Sequence, residues 1–149
     1  MEKCRQPEYC AELSRKRADK FKKILHIGEK ELEDFQKLLK EGCGEATLRH
    51  YFHAEQRKVQ RAFSTYEISE VVKEGWLIDR NVVLDGTVIV VMYHLRISNK
   101  VYRPVHVVCQ MKSSLDWRII TVYDPRSMPW KWDTNYQRRV CFCTEEFQN

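Results

Sequence analysis

Apolar positions change their period near residue 75. Before it, Leu13, Phe21, Ile24, Leu25, Leu32, Phe35, Leu38 and Leu39 recur at spacings of three, four or seven, which predicts amphipathic helices. Gly28 interrupts that run and predicts a break, with helices over 9–26 and 29–41. Gly42-Cys43-Gly44 ends the second of these. The stretch 44–64 predicts a third helix, with Leu48, Tyr51, Phe52, Val59 and Phe63 on its buried face. Ser64 and Glu67 have the spacing of a capping box, so a short fourth helix follows and stops at Gly75.

From Trp76 onward the pattern alternates. Val88, Val90, Met92, His94 and Arg96 point one way, and Ile89, Val91, Tyr93, Leu95 and Ile97 the other. WLIDRNVV before Asp85-Gly86, RPVHVVCQM and WRIITVYD read as further strands. Every link between them is short, which predicts an antiparallel meander. The fold class is α+β, with N-terminal helices followed by a curved antiparallel sheet. The tail from Pro125 carries Trp130 and Trp132 and is expected to wrap the sheet, with QRRVCFC as a last strand.

Composition narrows the classes of function. The 149 residues suit one domain, and no apolar run approaches the ~18 residues of a membrane helix. MEKCRQPEYC has no apolar leader, so a cytoplasmic location without membrane contact is expected. A net charge of +5 suits a polyanionic partner, or simply keeps a small domain soluble. No phosphate-binding loop, dinucleotide fingerprint, H-E-x-x-H or G-x-S-x-G occurs, so no cofactor is expected. Of six cysteines, Cys4, Cys10, Cys141 and Cys143 form two close pairs. If the two ends met, these four could hold zinc; unpaired structural thiols are the simpler reading.

The candidate chemistry lies in histidine and arginine. On a helix, His53, Arg57 and Arg61 at i, i+4 and i+8 would share one face, with Arg49 extending the stripe. Such a stripe can grip phosphate, or be a solvated basic face. Neighbouring strands carry His94 and Arg96, then Arg103 and His106, then Thr121 and Tyr123. RNA cleavage without a metal needs a base for the 2′-OH, an acid for the leaving oxygen and a cation on the phosphate. Histidine suits the first two roles, although Thr and Tyr are also ordinary strand residues.

HAEQRKVQRAFSTYEISEVV, then RPVHVVCQM, then IITVYDP together resemble the family known as domain of unknown function 4258. The resemblance covers roughly 48–125, with Ala62 where a small glycine turn is usual. That family is placed with the barnase, EndoU, colicin and RelE-like nuclease superfold. A helical extension over 1–44, which the family pattern does not explain, precedes a domain of that kind over 45–149, or the two form one compact unit. The resemblance implies a toxin-like ribonuclease of bacterial or phage origin, with His53 or His106 as acid or base. Arg57 and Arg103 would hold the phosphate, and Thr121 or Tyr123 would bond the phosphate or the base. Trp130 and Trp132 could stack on a base. The rival reading is a non-catalytic effector, inhibitor or toxin partner that binds a protein through its N-terminal helices. A zinc-stapled binding module is the third.

Overall fold

A computed structural model of the chain describes residues 3–42, 44–50 and 63–142. Helix α1 spans Pro7–Glu41 without a break. Proline at the first turn starts it, where its missing N–H costs nothing. Gly42, in the left-handed conformation at φ 64°, ends it. The predicted break at Gly28 is therefore corrected. A Cβ at Gly28 would come within 2.5 Å of Leu77 Cδ2 and 3.0 Å of Arg80 Cδ. Glycine lets the helix approach that strand closely, and the packing outweighs glycine's ~1 kcal/mol helix penalty.

Strand β1, Thr47–His50, lies where the third helix was expected to begin. It pairs in parallel with the last strand, beginning at Thr47 opposite Asp116, so an open sheet edge overrides the local helical pattern. Tyr51, Phe52 and Val59 lie outside the described residues. Helix α2, Thr65–Glu74, carries the complete capping box: Glu67 N–H donates to Ser64 Oγ and Ser64 N–H to Glu67 Oε1. Ile68, Val71 and Val72 form its buried face.

Strands β2 Trp76–Val83, β3 Gly86–Ser98, β4 Val101–Met111 and β5 Asp116–Tyr123 make the antiparallel meander, and the sheet order is β1-β5-β4-β3-β2. Gly86, at φ 118°, turns the first hairpin as Asp85-Gly86 predicts. One face of the sheet packs against the helices. There Leu32 and Phe35 of α1 join Val71, Ile89, Val91, Val107, Trp117 and Ile119 in a single core. The Phe35 and Trp117 rings stack with centroids 4.3 Å apart.

The other face is covered by the tail. Two 3-10 turns, Pro125–Ser127 and Pro129–Lys131, bring Trp132 down onto Ile78, Val90 and Met92. Among the described residues 137–142 the expected last strand is not formed. Trp132 and Arg139 make one isolated antiparallel bridge, and the N–H groups of Val140 and Cys141 both donate to the Lys131 carbonyl. No helix among the described residues is long and apolar enough to cross a membrane.

Candidate functional site

The alternation of β3, β4 and β5 sorts side chains between the two faces. His106 stands opposite Met92 on β3 and Tyr123 on β5, and Thr121 stands opposite Val108. These residues share the tail-covered face. A register shift next to Thr121 keeps Thr121 and Tyr123 there, while Ile119 and Val122 turn into the helix-covered core.

Between this face and the tail lies a cleft of about 500 Å³. Thr121, Tyr123, Trp132 and Phe142 contribute to its wall, together with Arg17, Lys131, Arg139 and Asp79. Three cations thus stand against one carboxylate. Arg17 reaches Asp79 at 3.7 Å. Arg139 Nε donates to the Cys141 carbonyl at 2.8 Å. The Trp132 indole N–H is buried and has no acceptor among the described residues. The Tyr123 and Trp132 rings lie nearly parallel, 28° apart in plane with centroids separated by 6.3 Å.

His106 lies beneath this wall and is fully buried. Its Nε2 is 2.8 Å from the Tyr136 carbonyl and its Nδ1 is 3.3 Å from the Tyr123 hydroxyl. A carbonyl only accepts, so Nε2 carries the proton and Nδ1 accepts from the Tyr123 O–H. Trp132 closes over the ring edge-to-face at 4.4 Å. Burial pushes the imidazole pKa down to about 4, against the smaller opposing pull of the Tyr136 carbonyl and the Asp124 charge. At neutral pH His106 is uncharged and covered.

Arg103 is elsewhere. It shares the side of β4 that carries Val105 and Val107, and is not part of the cleft wall. Its guanidinium sits 4.3 Å from the Phe63 ring centroid, and its Nε is 3.0 Å from Asp124 Oδ2. Burial pushes the Asp124 carboxyl up, but hydrogen bonds from Arg126 and Arg103 outweigh it and hold the group below the usual range. Arg103 is thus committed to an aromatic ring and a charge within the fold. His53 and Arg57 lie outside the described residues. Arg49, the first member of the expected helical stripe, is on β1, with its Nε 3.4 Å from Asp116. His50 Nε2 is 3.3 Å from Ser69 Oγ, and burial lowers its pKa. His94 and Arg96 are exposed toward the far end of β3, away from the cleft wall.

Of the residues that line the cleft, the sequence singles out Thr121, Tyr123 and Trp132 but not Arg17, Asp79, Lys131 and Arg139. The tail's alternation of Trp130, Lys131 and Trp132 was the available signal for Lys131. Asp79 was hidden by the register shift between Leu77 and Asp79, which changes the face that β2 residues occupy.

The family described as "Domain of unknown function (DUF4258)" matches residues 52–124. That span includes β2 to β5, and with them Thr121 and Tyr123; Arg17, Lys131, Trp132 and Arg139 lie outside it. No curated protein and no solved structure matches the chain.

Proposed function

We propose, for a chain whose residues 52–124 belong to the DUF4258 family, that the tail-covered sheet face binds single-stranded RNA and that His106 supports this face without catalysing cleavage. The observation that carries the reading is the cleft wall: Arg17, Lys131 and Arg139 around the parallel rings of Tyr123 and Trp132. Cations that track phosphates beside an aromatic platform for bases are the recurring means of holding a single strand. The net charge of +5 favours the same class of partner.

A second reading, cleavage of the bound RNA without a metal, is favoured by Thr121 and Tyr123, which line the cleft within the family's span. Its acid–base group would be His53, because His106 is buried and titrates at about 4. One experiment separates the readings. A labelled mixed-sequence RNA is titrated with the protein in EDTA, following anisotropy for binding and a gel for cleavage. Thr121→Glu puts a carboxylate into the cleft and is expected to weaken binding at least ~10-fold; Arg17→Ala is expected to make the salt dependence shallower by about one ion. Cleavage in EDTA that falls ~100-fold in His53→Ala would establish the ribonuclease instead. Absence of RNA binding at physiological salt would refute both and leave a protein partner as the remaining class.

A further inference from the structure

Three cysteines from opposite ends of the described chain converge at one point. Cys10 lies in the first turns of α1, Cys4 just before that helix, and Cys141 at the end of the tail. Their three sulfurs lie within 4.8 Å of one another, and Cys10 Sγ is 4.0 Å from Cys141 Sγ. We propose that Cys4, Cys10 and Cys141 bind a zinc ion that fastens the tail to the N-terminal half of α1.

The geometry fits a metal better than a disulfide. Zinc–sulfur bonds of ~2.3 Å in a tetrahedral site hold their sulfurs ~3.8 Å apart, close to the spacing of Cys10 and Cys141. A disulfide joins only two sulfurs, at ~2.0 Å. Soft thiolates select zinc over magnesium or calcium. The surroundings suit such a centre. Cys10 and Cys141 are almost fully buried, and Trp130 and Phe142 pack around the cluster. The Phe142 N–H points at Cys10 Sγ from 3.3 Å, the kind of outer hydrogen bond that stabilises a metal-bound thiolate. Three thiolates and one zinc carry a net charge of −1. Arg17 and Arg139, 4.9 and 5.0 Å from the Phe142 ring centroid, supply opposite charge nearby. Binding releases the thiol protons to solvent, so uptake weakens as pH falls. Among the described residues three donors are present, and a fourth would come from water or another donor; Cys143 lies outside the described residues.

The site differs from the cleft and does not depend on what the cleft binds. Its link to the cleft is mechanical. Phe142 follows Cys141 directly and forms part of the cleft wall, and Arg138 Nη2 donates to the Ser14 carbonyl at 2.8 Å beside the same seam.

The test uses the full chain, purified under reductant, supplied with zinc sulfate and then desalted. Metal analysis is expected to give about one zinc per chain in the wild type and less than ~0.2 in Cys4→Ser and Cys10→Ser. Cys109→Ser, which alters a thiol in the helix-covered core, should retain the wild-type amount. Cys4 is only partly buried, so Cys4→Ser keeps the test valid if Cys10→Ser does not fold. With cobalt in place of zinc, the wild type should show thiolate-to-metal charge-transfer absorption that Cys4→Ser lacks. A wild type that retains no zinc, or a Cys4→Ser variant with undiminished zinc, would overturn the proposal. So would a Cys10–Cys141 disulfide persisting under reductant.

Discussion

The two faces of the sheet are built from the same strands and buried by different means. The helix-covered face is centred on an apolar core, with Phe35 stacked on a fully buried Trp117. The tail-covered face holds a buried histidine, a tyrosine and a tryptophan bordering a cleft of about 500 Å³. A dry core resists change because each atom removed leaves a void. A face closed by a strap with few regular backbone pairings can carry polar groups and an opening. The dense apolar core lies on the first face and the candidate site on the second.

Truncating each tryptophan tests that contrast most strongly. Trp117→Ala is expected to destabilise the chain by about 4 kcal/mol, the usual scale for an aromatic core deletion. Trp132→Ala, at the border of the cleft, should cost about half as much. Urea denaturation measures both, and equal losses would erase the difference between the faces.

Acid comes next. Unfolded, His106 takes up a proton near its ordinary 6.5; folded, it resists down to about 4. Its contribution is therefore complete above pH 6.5 and is lost as pH falls toward 4, because the unfolded state binds the proton first. The loss is about 3 kcal/mol across that window. His106→Asn should flatten that part of the stability profile, and an unchanged acid slope would contradict the argument. Trp132→Ala should flatten it too, by uncovering the ring and moving its NMR titration up toward the ordinary value.

A smaller effect is expected at Gly28. Alanine gains helix propensity but drives its Cβ into Leu77, and the sum should be a destabilisation of about 1 kcal/mol. A stabilised variant would show that α1 can draw back from β2 at little cost.

The parts of the fold legible in the sequence were those set by neighbours in the chain. Ser64 and Glu67 announce their capping box, Asp85-Gly86 its hairpin, and the alternation along 87–97 its two faces. Distant partners decided the rest. The continuity of α1 through Gly28 depends on Leu77, and β1 exists because β5 offers an edge to pair with. The site divides in the same way. Thr121 and Tyr123 were readable from strand period. The burial of His106 depends on Trp132, 26 positions further along, and no local pattern reports it. The cysteine pairs were visible as spacing, but the approach of Cys10 to Cys141 required the whole fold.

That last contact also bears on the order of events in time. Cys10 and Cys141 are 131 positions apart, whereas the hairpins of the meander close over a few residues. Closing the larger loop costs more chain entropy, so the sheet and its helices can assemble while the tail is still loose. Docking of the tail is then the final step of folding and the first to reverse. Hydrogen exchange should show it directly, with the Val140 and Cys141 amides exchanging well before those of Val105 and Val107. On that sequence of events, Met92 and His106 are solvated until the tail arrives, and the cleft is a late product of folding.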